Sequence, residues 1–141
     1  MLVNRDKIHD IIPQRDPITM IHRLMEQEET YTVCEYDVEE GELFVENGSL
    51  KPAGLVENIA QTAAGRMGYH YMLKNEKPPV GFIGAVSKLE IHDRPKLGEV
   101  VRTKVTVKSE VFNITLIVGE SFVGDRKLAN CEMKIVINEE A

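Results

Sequence analysis

No stretch of the chain reaches the roughly 18 consecutive apolar residues that a membrane-spanning helix needs, so the sequence offers no candidate span. Its first ten residues are charged from Arg5 onward and lack the apolar core of a secretory signal, which makes the cytoplasm the expected location. Cysteine is scarce. Cys34 and Cys131 are the only two among 141 residues, and both lie in strand-like runs outside any ligand-spaced cluster. In a reducing compartment they read as core thiols packing as small hydrophobes. Positive charge is short as well: 17 Lys and Arg stand against 23 Asp and Glu, a formal charge of −6. That balance argues against a nucleic-acid partner, because phosphate binding needs a basic field. An acidic whole still admits a local basic patch that could meet an acidic partner, for which Lys51, Arg66, Lys74 and Lys77 are the candidates. Repeats, low-complexity tracts and Ser/Gly-rich linkers are also missing. A chain of this length with 43% apolar residues therefore predicts one domain, residues 1–141.

What is present is periodicity. Ile8, Ile11 and Ile12 recur at helical spacing before Pro13, predicting a short helix over residues 4–12. Alternation of apolar and polar residues predicts antiparallel strands over 18–28 and 30–38. Residues 39–53 hold Gly41, Asn47-Gly48 and Pro52 and read as turns. The longest helical pattern follows over 55–73, with Leu55, Val56, Ile59, Ala60, Ala63, Ala64 and Met67 at three- and four-residue steps. Its middle is small: Ala60, Ala63, Ala64, Gly65 and Gly68. Glycine costs a helix up to about 1 kcal/mol relative to alanine, so a close approach to another element is the expected compensation. Four more alternating segments, 80–91, 99–109, 113–123 and 127–138, read as strands, with a tight turn at Gly124-Asp125. In the last of them Ala129, Cys131, Met133, Ile135 and Ile137 share one face. The order predicts an α+β chain whose antiparallel sheet of about six strands wraps around one long central helix, the hotdog arrangement. Long final strands leave apolar edges to cover, so a homodimer or a higher assembly of dimers is expected.

Several segments carry a family resemblance. Ile12-Pro13-Gln14-Arg15-Asp16-Pro17, followed by Ile21-His22-Arg23, resembles the opening of the 3-hydroxyacyl-ACP dehydratases of fatty-acid synthesis, which read Leu-Pro-His-Arg-Tyr-Pro and then Val-Asp-Arg. Glu57-Asn58-Ile59-Ala60-Gln61 is similar to their Glu-x-x-Ala-Gln helix. Val80-Gly81-Phe82-Ile83-Gly84, Lys88-Leu89 and Leu97-Gly98-Glu99 continue the likeness, which covers roughly residues 8–110. A divergent branch of predicted dehydratases from aryl-polyene-type pathways looks closer still, with a similar Gly-x-x-Pro-Ala approach to the helix.

The resemblance implies a substrate and a site. The family eliminates water from acyl thioesters carried on phosphopantetheine or coenzyme A, with no other cofactor. A loop histidine removes the α proton, and a helix glutamate of the partner subunit protonates the departing hydroxyl. Glu57 matches the glutamate, and Gln61, one turn later on the same face, can orient it. Aligning Phe44-Val45-Glu46-Asn47-Gly48 with the family's Phe-x-Gly-His-Phe puts Asn47 where the histidine stands. An asparagine amide accepts no proton at useful pH but can donate a hydrogen bond or position a water; Asn-Gly is equally the corner of a turn. Gly54 reads as lying just before the helix, where free N–H groups and the helix dipole would polarise a thioester oxygen. With Ala53, Phe44 and Phe82 it forms the expected substrate-binding set. His70 lies about 20 Å along the helix from Glu57, and His9, His22 and His92 show no paired spacing, so no metal site is expected. Three readings stay open: a dehydratase of 3-hydroxyacyl thioesters, a thioesterase using Glu57 alone, and a non-catalytic acyl-binding subunit that completes the site of a histidine-bearing partner.

Overall fold

The computed structural model describes residues 1–138. A 3-10 turn, Arg5–Asp10, opens the chain. Strands β1 (Arg23–Gln27) and β2 (Tyr31–Asp37) form a hairpin, and two short strands, β3 (Val45–Glu46) and β4 (Ser49–Leu50), form a second. Helix α1 (Pro52–Leu73) follows, and then β5 (Val80–Ile91), β6 (Val100–Val111), β7 (Ile114–Val123) and β8 (Arg126–Asn138). The six long strands pair antiparallel in the order β1-β2-β6-β7-β8-β5, and α1 lies against their inner face. This is the expected hotdog arrangement.

Alternation explains the inner face. Val101, Thr103 and Val105 of β6 are buried while Arg102 and Lys104 between them are exposed, and Ala129, Cys131 and Met133 of β8 are buried too. Burial pushes the Cys34 thiol up to about 12 and the Cys131 thiol up to about 11, so both stay protonated.

The small residues of α1 do what their size suggests. A Cβ on Gly68 would lie 1.7 Å from the Ile11 carbonyl oxygen, so only glycine lets the arm before β1 cross the helix there. On the sheet side, a Cβ on Gly119 of β7 would meet Ile59 at 2.3 Å.

Three boundaries differ from expectation. The first helix is a short 3-10 turn. Helix α1 begins three residues early because Pro52 occupies its first turn, where its missing N–H costs nothing. Residues 18–22 join no long ladder. Gln61 of α1 takes the Met20 N–H and Asn58 holds its carbonyl, so the ladder starts at Arg23.

Strand β5 ends the sheet. All twelve of its residues are exposed, including Val80, Phe82, Ile83, Val86, Leu89 and Ile91. Its one neighbour among the described residues is β8.

Candidate active site on the central helix

Glu57 stands half-buried in the second turn of α1. Its Oε2 accepts a hydrogen bond from Gln61 Nε2 at 2.9 Å, the i,i+4 contact that helix geometry provides. Gln61 is wholly buried, and its amide has no freedom to flip. Nε2 also donates to the Ile18 carbonyl at 2.6 Å, and Oε1 accepts the Met20 N–H at 2.5 Å. Reversing the amide would set oxygen against two acceptors and NH₂ against a donor. The Oε1 of Glu57 forms no hydrogen bond or ion pair among the described residues. One carboxylate oxygen is thus held and the other presented.

The remaining expected residues divide. Asn47 (φ 53°) and Gly48 (φ 78°) form the two-residue turn between β3 and β4, where both central residues must adopt a left-handed backbone. Asn47 is exposed there, and no hydrogen bond or ion pair among the described residues ties it to Glu57 or Gln61. Turn chemistry accounts for it. Gly54 requires a correction: it lies inside α1, and its N–H donates to the Lys51 carbonyl at 2.9 Å, so that donor is not free for an oxyanion. Packing explains the glycine, since a Cβ would meet Leu50 at 2.8 Å and Phe44 at 2.9 Å. Phe44 packs on the cluster of Met20, Tyr36, Leu50 and Leu55 beneath the helix start. Ala53 is exposed, and Phe82 sits 55% exposed on the edge strand.

None of the four histidines contacts Glu57. His9 meets Thr19 Oγ1 at 2.9 Å, His92 meets Asn130 Oδ1 at 3.0 Å, and His70 packs edge-on to Tyr71. His22 is buried and stacked on Tyr36, with ring centroids 4.7 Å apart. Burial, helped by the Arg5 charge, lowers its pKa to about 4.

His22 also joins Glu39 and Glu42 in a group whose oxygen and nitrogen atoms lie within 4.8 Å of one another, a clustering that histidine spacing gave no hint of. Hydrogen bonding argues against a metal ligand here. The Asp37 N–H donates to Nδ1 at 3.0 Å, so the neutral ring carries its proton on Nε2, the atom facing Glu42 at 3.7 Å. A protonated nitrogen donates and does not ligate. Glu39, in turn, is held by both terminal nitrogens of Arg5.

A cavity of about 520 Å³ runs beside the C-terminal half of α1. Met67, Val107, Ile117 and Ile135 form the apolar part of its lining and Glu28, Glu29, Arg66 and Glu110 a charged part, with His70 and Tyr71 at its helix side. Its nearest helix residue to Glu57 is Ala63, about 9 Å farther along the axis. Of the basic residues, Arg66 turns inward to bind the Glu28 and Glu29 carbonyls and Thr32 Oγ1, Lys51 pairs with Glu46, and Lys74 sits over the Tyr71 ring.

Sequence reasoning missed Asn58 and Thr103, both wholly buried and joined by a 2.5 Å hydrogen bond. One signal was available: Leu55, Asn58 and Thr62 share a helix stripe that is otherwise apolar.

A family model described as ApeP-like, ApeP dehydratase, matches residues 6–140. Comparison with curated proteins gives no match. Among solved structures, the chain is similar to the dehydratase heterocomplex ApeI:P from Xenorhabdus doucetiae, with TM-score 0.84 and 15% identity over 94% of this chain and 91% of that one. It is similar to the uncharacterized protein PH1136 from Pyrococcus horikoshii, with TM-score 0.69 and 11% identity over 93% of both chains. A hypothetical thioesterase with coenzyme A from Streptococcus pneumoniae TIGR4 aligns with TM-score 0.67 and 10% identity over 82% and 84%. At such identities these likenesses speak for the fold.

Proposed function

Because the chain belongs to the ApeP-like dehydratase family, we propose that it acts on 3-hydroxyacyl thioesters, with Glu57 as the acid at the departing hydroxyl. The observation that carries the proposal is the fixed Glu57–Gln61 pair, one carboxylate oxygen anchored and the other open. In the reaction a general base, which a histidine of a partner subunit would supply, takes the α proton; the C–H electron pair forms the double bond, and the C–O bond at the β carbon breaks as Glu57, protonated on its open oxygen, lets the hydroxyl leave as water. Glu57 gives the leaving oxygen its proton. The thioester is carried on phosphopantetheine or coenzyme A, and the cavity beside α1 suits the apolar acyl tail. Lys74 and Lys77, both exposed beyond the helix end, are the residues best placed to meet an acidic carrier protein. The exposed edge of β5 supports assembly with a second subunit, because twelve residues of open ladder and apolar side chains are an aggregation hazard unless paired.

A second reading has its own support. Among the described residues no proton acceptor stands beside Glu57: Asn47 forms a turn, and none of the four histidines contacts Glu57. In that reading the partner across the open edge is a histidine-bearing relative, and this chain contributes Glu57 to a shared site. The similar structure from Xenorhabdus doucetiae is itself a heterocomplex.

Mass spectrometry of 3-hydroxyacyl thioesters incubated with the pure protein separates these readings. Loss of one water supports the first. Loss of water only after a histidine-bearing relative is added supports the second. Release of free acid from either mixture overturns both in favour of a thioesterase.

A further inference from the structure

Glu57 is only as well placed as Gln61, and Gln61 is only as well placed as the Met20 N–H that fixes which way its amide points. Residue 20 lies in the irregular arm before β1, outside any strand. Nothing in a ladder holds it, so something else must. Its carbonyl accepts Asn58 Nδ2 at 2.8 Å. Asn58 Oδ1 accepts the Thr103 hydroxyl at 2.5 Å, and the Asn58 backbone carbonyl accepts Thr62 Oγ1 at 2.8 Å. Asn58, Gln61, Thr62 and Thr103 are all completely buried. A buried amide or hydroxyl is costly unless satisfied, and the bonds here run in one direction, from β6 through the helix to the arm.

We infer that Asn58 and Thr103 are positioning residues for Glu57. Thr103 orients the Asn58 amide so that its NH₂ faces the Met20 carbonyl. Asn58 and Gln61 then grip the two sides of Met20, and the Gln61 amide is left with one orientation, in which it donates to Glu57. The inference rests on the reading of Glu57 as the reacting acid.

Thr103→Val removes the hydroxyl at nearly constant shape, and Thr103→Ser keeps it. Two readouts are needed: dehydration kinetics in the assembly that turns over, and hydrogen exchange of the Met20 amide. With the clamp released, Thr103→Val should speed Met20 exchange at least about tenfold and lower kcat by about 10- to 100-fold, since a displacement near 1 Å can cost that much. KM should stay within about twofold, and Thr103→Ser should restore both readouts; restoration of this kind is what a merely structural role would not require. A Thr103→Val protein with native kcat, in an assembly where Glu57→Gln is inactive, overturns the inference. If Glu57→Gln is fully active, the Glu57 reading fails separately, and the amide readout alone decides whether the clamp exists. Unchanged Met20 protection in Thr103→Val then overturns it.

Discussion

Acid should weaken this fold through His22 before it reaches the carboxylates. The ring is buried to 3% exposure, and its pKa falls from 6.5 to about 4, chiefly by burial and secondarily by the Arg5 charge. A histidine with a depressed folded pKa binds more protons when unfolded, so stability is lost as pH falls below the unfolded value and keeps falling to the folded one. Relative to pH 7, the loss is about 2 kcal/mol at pH 5 and about 3 kcal/mol at pH 4, given those two values. The neighbours do not imitate this. Asp37 and Glu39 are held below the usual carboxylate range by hydrogen bonds from Arg23 and Arg5, so their contributions are lost only below their ordinary values near 4. Glu42 is raised by burial and by Glu39, and works in the opposite direction. Urea unfolding between pH 7 and pH 5 should show the decline, and His22→Gln should flatten it. Equal slopes for the two proteins, or an NMR midpoint for His22 near 6.5, would refute the reasoning.

Gly68→Ala should cost about 3 kcal/mol or prevent folding, because its Cβ meets backbone at 1.7 Å, whereas Gly65→Ala, with the Ile21 side chain at 3.2 Å, should cost far less by thermal unfolding. Asn47→Ala should lower stability by about 1 kcal/mol through the left-handed turn while leaving thioester turnover unchanged; a large loss of turnover would return Asn47 to the site. The protein should sediment as a dimer or larger at micromolar concentration, and Val86→Lys on the open strand should weaken that assembly. A stable native monomer would count against a shared site.

The fold was legible because most of its elements follow simple periods. The buried-exposed alternation in β6 and β8 and the small stripe of α1 are each visible within a dozen residues. Residues 18–22 misled for a physical reason. They alternate like a strand, but the helix side chains Gln61 and Asn58 satisfy the Met20 backbone, and pattern reading has no term for that. Gly54 misled because a glycine at a helix start suits a free N–H and a tight packing contact equally, and only the Leu50 and Phe44 distances choose between them. At the site, Glu57 and Gln61 were readable as a one-turn pair. Thr103 was not: it reaches Asn58 across 45 residues of sequence and declares itself only by burial.

Exchange of oxygen between labelled water and a 3-hydroxyacyl thioester tests the central claim most directly, because it reports making and breaking of the β C–O bond in either direction. The measurement compares wild-type protein with Glu57→Gln, each alone and each mixed with a histidine-bearing relative. Glu57→Gln keeps the side chain's shape, so the variant should fold and assemble as the parent does. Loss of a general acid typically costs 10²–10⁴-fold, and exchange should fall by at least about 10²-fold in every mixture where the parent is active. A folded Glu57→Gln protein that exchanges oxygen at the parent's rate would contradict the claim.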